Sequence, residues 1–365
     1  MREKITGIIL AGGKSSRMRE DKAFVSFQGR RLIEYSINLM ERICDEIIIS
    51  ANHPQYESFG LPVIRDNYHS IGPIGGIEAS LAYSKTTHNL VIPNDTPFIT
   101  LSIFYQILNN LNHELSVVPL INGDKPQPLT AYYSKEILPQ IRKQIRKKNY
   151  KMQDLLKETD ARFLDFTQND IFRNLNAVAD LEVVSYSFRK IFHNMILIAG
   201  DGRNVGKTHL SCKIIKHLSG FSKVIGIKIS PHYHELADED SIVYKNEQFT
   251  IVDEKSITRK DSSLMLQAGA RKVFFIMAEQ EHLEKAFSFI SDQLLNHSIV
   301  CESGGLHKVV QPGLFLFVKN RIEKIQKKHL LKYAPVIVTN HQKSYDFNEQ
   351  CIGYKNDQIT LENLI

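Results

Sequence analysis

Residues 8–22 read IILAGGKSSRMREDK. Ile8, Ile9 and Leu10 have the unbroken apolar character of a buried strand, and they run straight into Gly12 and Gly13. Four cations follow within nine residues, at Lys14, Arg17, Arg19 and Lys22. Glycines let the backbone close on a ligand, while N–H groups and cations converge on its negative charge. A bare pair of glycines after a strand is ordinarily a turn, but this density of positive charge shifts the reading to phosphate binding. The spacing is not the GxGxxG of a dinucleotide fold, and although Gly13-Lys14-Ser15 reads GKS, the glycine a Walker A loop needs five residues earlier is Ile8, so an ATPase loop is excluded at this position.

Outward from the loop, RRLIEYSINLMERI places Leu32, Ser36, Leu39, Met40 and Ile43 on one helical stripe, and EIIISAN then reads as a strand. The pattern repeats through LPVIRD, GPIGGIEASLAYS, NLVIPND, TPFITLSIFYQILNNL and LSVVPLI. Apolar strands alternating with helices predict a parallel sheet covered on both faces, with ligands beyond the carboxyl ends of its strands. Three predicted strands end there on polar groups: the LAGG loop, SAN at Ser50–Asn52, and IPNDTPF at Ile92–Phe98. In the last of these, Asp95 suits two roles. It could cap a helix opening at Thr96 and Pro97, or hold a hard cation on a rigid strand end. Asp66, ahead of a glycine turn, is open in the same way between a turn residue and a ligand contact.

The bulk properties set limits. A chain of 365 residues is long enough for two cores, and 42% hydrophobic with 24% charged residues is ordinary for an α/β protein. No apolar run approaches a membrane span, and the one near the N-terminus is too short for a signal peptide, so the expectation is a cytoplasmic protein without a membrane partner. Cys44, Cys212, Cys301 and Cys351 lack metal-ligand spacing and read as buried free thiols. The net charge of +6, from 46 basic against 40 acidic residues, suits small anionic ligands and does not call for nucleic acid. The densest basic run, Ile141–Lys151, has Ile141 and Ile145 one helical turn apart and reads as a solvated amphipathic helix.

A second strand, glycine loop and helix open at MILIAGDGRNVGKTHLSCKIIKHL, residues 195–218. Gly206, Lys207 and Thr208 form the GKT of a Walker A loop, in which the lysine reaches the β- and γ-phosphates and the threonine Mg2+. The expected glycine five positions before Gly206 is Asp201, flanked by Gly200 and Gly202, which implies a loop one residue longer than the rule. Gly202, Asn204, Gly206, Lys207 and Thr208 are the candidate nucleotide contacts. The joint falls within about residues 183–194, so the expected domains are 1–188 and 194–365.

The first half resembles the molybdenum cofactor guanylyltransferases. Residues 10–22 follow their LAGGxSxRMGxDK signature with Arg19 in place of glycine, Asn94–Pro97 follow [C/N]DTP, and Phe172, Asn174, Asn176 and Asp180 follow their closing F-x-N-x-N motif. The resemblance implies transfer of GMP from GTP to molybdopterin, with pyrophosphate released. In it Leu10, Ala11, Gly12 and Gly13 cradle the nucleotide, Lys22 and Arg17 neutralise phosphate, and Asp95 holds Mg2+. It also implies that Ser50, Asn52 and Asp66 contact the nucleotide, although Ser50 stands where relatives commonly carry Asn. Asn174 and Asn176 either contact the acceptor or cap a helix near Ala177. The second half resembles the GTP-binding P-loop adaptor of the same pathway, through Lys228, His232 and His234, Asp261 with Ala268–Ala270, and Glu302. A zinc site on His232 and His234 is the rival reading of that pair.

The fold class expected is therefore two three-layer α/β domains, a Rossmann-like nucleotidyltransferase fold followed by a P-loop NTPase-like fold with weak GTP hydrolysis. The implied partners are molybdoenzymes or cofactor-insertion proteins, and a homo-oligomer stays open. A cytidylyl- or sugar-phosphate nucleotidyltransferase and a non-catalytic GTP-binding adaptor are the rival functions. Residues 341–365 carry no readable motif.

Overall fold

The computed structural model describes residues 3–12, 21–27, 29–166, 171–175, 189–233, 241–255, 260–321, 324–333 and 335–364. Gly13, Arg17, Asn176, Asp180 and His234 lie outside them. The chain divides into two compact units, Met1–Phe188 with Asn363–Ile365, and Arg189–Glu362. Among the described residues no helix is long and apolar enough to cross a membrane.

The first unit is built on β1 (Ile5–Leu10), α1 (Leu32–Glu41), β2 (Glu46–Ser50), β3 (Val63–Ile64), α2 (Pro73–Tyr83), β4 (His88–Pro93), α3 (Leu101–Leu108), β5 (Ser116–Ile121), β6 (Ala131–Ser134), α4 (Leu138–Arg146), α5 (Met152–Glu158) and β7 (Arg162–Phe166). The sheet order is β7-β5-β6-β4-β1-β2-β3, with the short strand Lys125–Pro126 paired to β5. Strands β4, β1, β2 and β3 run parallel, as the apolar runs predict. One correction is needed: β6 lies between β4 and β5 and is antiparallel to both, so the sheet is mixed. Its four residues are all buried, and a fully buried strand carries no alternation from which to read its direction.

The predicted stripe on α1 holds, with Leu32, Ser36, Leu39 and Met40 buried on the helix and Ile43 buried just past its end. The basic run is helical only to Arg146, where Ile141 and Ile145 face the core; the chain then turns into α5.

The second unit comprises β8 (Lys190–Gly200), α6 (Lys207–Leu218), β9 (Val224–Ser230), β10 (Ile242–Lys245), β11 (Phe249–Glu254), α7 (Asp261–Gln267), β12 (Lys272–Ala278), α8 (Leu283–Ile290), β13 (Ser298–Glu302), β14 (Val310–Asn320), β15 (Val336–His341) and β16 (Ser344–Tyr345). They form a nine-stranded sheet in the order β10-β11-β12-β9-β13-β8-β14-β15-β16. The six strands from β12 to β15 are mutually parallel, and antiparallel strands flank them on both sides. The unread tail is structured: Ile352–Lys355 and Gln358–Leu361 make a hairpin, Lys213 pairs with Glu349 at 3.0 Å, and His217 Nε2 meets the Ile352 carbonyl at 2.8 Å. All four cysteines are free; Cys301 and Cys351 are buried, and Cys44 and Cys212 are partly buried.

Helix α2 crosses the strand ends of the first unit at Gly76. A Cβ there would lie 2.5 Å from Ser50 Oγ and 3.5 Å from both Leu10 Cδ2 and Asp66 Oδ1. Gly76→Ala is therefore expected to lower the unfolding free energy by about 1–3 kcal/mol, as overpacking does, measured by urea denaturation. An unchanged midpoint would mean that α2 is not seated on those strand ends.

Candidate functional site

Parallel pairing sets Leu10 of β1 opposite Ser50 of β2 on one side and Pro93 of β4 on the other. The three segments that follow these residues therefore leave the sheet side by side. Ala11 N donates to the Ser50 carbonyl at 2.9 Å, and Asn94 N donates to the Leu10 carbonyl at 3.1 Å, so two adjacent strand ends continue pairing past the sheet. This is the place where ligands bind in open α/β sheets.

Asp95 sits in this cleft, 8% exposed, with the Lys22 ammonium 3.4 Å from its Oδ2. Residues 73 positions apart in sequence thus meet at one point. Lys22 opens a short 3-10 turn, Lys22–Phe24, whose cap is Asp21, with Ala23 N donating to Asp21 Oδ1 at 3.1 Å. Burial raises the Asp95 carboxyl above its ordinary value, and Lys22 opposes that shift without cancelling it. The capping alternative for Asp95 is overturned. The next helix begins at Leu101 with Thr100 as its cap, and the intervening residues form a turn held by Thr96 Oγ1 donating to the Pro93 carbonyl at 3.2 Å. Leu175 N reaches the Asp95 carbonyl at 3.0 Å, which brings the end of the unit, including Asn174, to the same loop.

Asn52 and Asp66 bind each other reciprocally. Asn52 Nδ2 donates to Asp66 Oδ2 at 3.0 Å, and Asp66 N donates to Asn52 Oδ1 at 2.9 Å. Ser50 is buried, with its hydroxyl facing α2. Gly76 is the member of this constellation that sequence reasoning missed. The signal is the Pro-Ile-Gly-Gly at the start of α2, which by itself reads only as a turn. Glu78, also buried, is held by Arg142 Nε at 2.8 Å and Asn67 Nδ2 at 2.9 Å, so it is an internal anchor for α2.

The second unit gathers its own cations at strand ends. β8 stops at Gly200, and α6 starts after Gly206, whose φ of 98° and whose distances of 2.6 Å and 2.9 Å from an added Cβ to Asn340 Nδ2 and Tyr345 Oη admit only glycine. Asn204 takes φ 58° in the same loop. Lys207 Nζ donates to the Gly202 carbonyl at 2.7 Å, and its side chain passes so close to Gly200 that a Cβ there would lie 2.8 Å from Lys207 Cδ. Gly200 is therefore a position at which the loop leaves no room for a side chain. Asp201 instead fastens a distant segment, its carboxylate accepting the backbone N–H of Gln326 at 2.9 Å and of Lys327 at 2.7 Å. Thr208 Oγ1 donates to Glu302 Oε2 at 2.8 Å, and Lys228 bridges Glu302 and Asp261. Burial lowers the Lys207 ammonium pKa; Glu302 opposes this, while Lys228 and Lys327 add to it. His232 lies in a turn closed by Ser230 Oγ, and the Ala268–Ala270 stretch is a helix end in which Gly269 takes φ 108°.

The first unit has the mixed α/β sheet and the convergent loop, lysine and carboxylate of a nucleotidyltransferase, and residues 7–163 match the family model described as the MobA-like NTP transferase domain. The chain is 32% identical over 181 residues to the "Probable molybdenum cofactor guanylyltransferase" of Flavobacterium johnsoniae, an alignment covering 49% of this chain and 95% of that protein. It is 32% identical over 179 residues to the molybdenum cofactor guanylyltransferase of Vibrio vulnificus, covering 48% of this chain and 91% of the relative. The solved structure titled molybdopterin-guanine dinucleotide biosynthesis protein A, from Archaeoglobus fulgidus, aligns over 50% of this chain and 99% of its own at 21% identity and a TM-score of 0.43. Through its first half the chain belongs to the molybdenum cofactor guanylyltransferase family.

A carboxyl whose pKa is raised by folding stabilises the folded state most below its unfolded value, and that contribution is lost as pH rises through the folded value. Asp95→Asn should therefore melt progressively higher relative to the parent protein as pH rises above about 4, while nucleotidyl transfer falls by at least about tenfold. Lys22→Ala removes the opposing charge and should move the acid limb of the transfer–pH profile to higher pH. Thermal melts across the range and kcat profiles check both. A melting difference that is flat with pH would contradict the burial assignment.

Proposed function

We propose that the first unit transfers GMP from GTP to the terminal phosphate of molybdopterin, giving molybdopterin guanine dinucleotide and pyrophosphate, and that the second is a P-loop GTP-binding adaptor. The observation carrying the first part is the meeting of Lys22 and Asp95 beside the LAGG loop, in a chain of this family. An acceptor phosphate oxygen attacks the α-phosphorus of GTP, the bond from that phosphorus to the bridging oxygen of the β-phosphate breaks, and the electron pair leaves with pyrophosphate. Such a reaction calls for positioning and charge neutralisation rather than a protein nucleophile. The loop from Leu10 to Gly13 cradles the nucleotide, and Lys22 with Arg17 neutralises the charge of its phosphates. Asn52 and Asp66 hold the nucleoside, and Asn174 and Asn176 are the residues assigned to acceptor recognition.

Mg2+ fits the donor set at Asp95. Among the described residues no group of three or more His, Cys, Asp or Glu side chains gathers, and a single strand-end carboxylate suits a hard cation held chiefly by substrate phosphates. When bound, it supplies positive charge to the phosphate oxygens. In the second unit Thr208 and Glu302, hydrogen-bonded to each other, are the corresponding donors. The fold of Lys207 over Gly200 and the position of Glu302 on the strand beside β8 support the P-loop reading.

Pyrophosphate release from Mg·GTP, measured with and without molybdopterin, tests the transferase. Release should depend on the acceptor and should not be supported by CTP; equal turnover with CTP would favour a cytidylyltransferase. In the full chain Lys207→Ala should remove one GTP-binding event per chain by calorimetry while leaving transfer largely intact. Loss of transfer in that variant would mean that the P-loop unit takes part in the reaction, and the adaptor assignment would fail.

A further inference from the structure

Tyr56 belongs to none of the motifs above, yet two functional segments meet at its hydroxyl. It sits in the 3-10 segment Pro54–Phe59, just past the strand end that carries Ser50 and Asn52. The side chain is fully buried, at 0% exposure. Its hydroxyl donates to Asp21 Oδ2 at 2.7 Å and accepts the backbone N–H of Gly12. Asp21, through its other oxygen, caps the turn that presents Lys22, and Phe24 N donates to the Asp21 carbonyl at 3.0 Å. Lys22 in turn lies 3.4 Å from Asp95.

The ring is fixed as firmly as the hydroxyl. Its centroid lies 5.2 Å from that of Phe24 and 6.5 Å from that of Phe59, and the Arg31 guanidinium covers Phe59 at 4.4 Å. Phenylalanine would fill this aromatic pocket equally well, so packing alone does not account for a tyrosine. The hydroxyl adds a relay from Gly12 N–H through Tyr56 Oη to Asp21 and the Lys22 turn. Burial, with Asp21 beside it, pushes the phenol above its ordinary value, so it stays a neutral donor at any working pH.

We propose that Tyr56 is a positioning residue for nucleotidyl transfer, holding the glycine loop and the Lys22 turn at a fixed separation across the triphosphate. Without the hydroxyl, the Asp21 carboxylate and the Gly12 N–H both lose a partner, and the lysine drifts from the charge it must meet. Preorganisation of this kind acts most strongly where charge builds up in the transition state. The proposal rests on the transferase reading of the first unit, and its test separates the two.

Four full-length proteins are compared: the parent, Tyr56→Phe, Lys22→Ala and the double variant. The readouts are kcat and KM for Mg·GTP with molybdopterin, calorimetric binding of Mg·GTP and of guanosine, and the thermal midpoint. Tyr56→Phe should melt cooperatively and lose about ten- to a hundredfold in kcat, the span of one charge-assisted hydrogen bond, with a smaller change in KM. In the Lys22→Ala background the same substitution should lower kcat no further, because its effect passes through Lys22. Parental kcat in Tyr56→Phe, or an equal loss in both backgrounds, would overturn the proposal. If Tyr56→Phe does not fold, Asp21→Asn takes its place with the same expectations. Should the parent release no pyrophosphate, the transferase reading fails by itself, and binding then decides for Tyr56. Weakened Mg·GTP binding with guanosine binding unchanged, seen only when Lys22 is present, supports the relay, and unchanged Mg·GTP binding refutes it.

Discussion

The meeting of Lys22 and Asp95, 3.4 Å apart at the carboxyl ends of β1 and β4, is the interaction on which the first unit depends. Burial of Asp95 works against its charged form, and the Lys22 ammonium beside it opposes that shift. The cation arrives on a turn capped by Asp21, and Asp21 is tied to Tyr56. The carboxylate is placed by strand register, which sets Leu10 against Pro93. Local capping and long-range pairing thus fix one charge each, and the core behind them keeps both from relaxing. Charges arranged before the ligand arrives need no reorganisation during the reaction, which is where electrostatic catalysis has most of its effect.

The second unit reaches a comparable arrangement with different parts. Its parallel strands end at Gly200 and Glu302, Lys207 folds back on the loop, and Lys228 balances Glu302 from the next strand. In both units, side chains from adjacent strands converge at the sheet's carboxyl edge, because parallel strands all deliver their loops to one end. The two sites differ in what caps them. In the first, helix α2 packs glycine against the strand ends, whereas in the second the Asn340 and Tyr345 side chains press against Gly206.

The parts legible in the sequence were those specified by neighbours along the chain. The apolar strands, the α1 stripe, the glycine loops and the acidic and basic groups after strands could be read because period and spacing are local properties. Partner choice across tens of residues could not. Nothing local marks β6 as antiparallel between β4 and β5, separates Asp95 from a helix cap, or pairs Asn52 with Asp66. Asp201 shows this most clearly. As a motif position it looks like a defect in the loop, and in the fold it fastens residues 326–327 by two backbone N–H groups. Tyr56 was silent for the same reason, since a buried aromatic after a strand reads as core, and only its hydroxyl's partners make it more than that.

The central claim is that GTP gives up its nucleotidyl group in the first unit, and the fate of isotopic label tests it most directly. The full chain is incubated with molybdopterin and GTP labelled at either the α- or the γ-phosphorus, and the products are separated. The account predicts α-label in the acceptor product and γ-label in pyrophosphate, both strongly reduced in Lys22→Ala. γ-Label appearing in the acceptor, or released only as inorganic phosphate with the acceptor unlabelled, would contradict it.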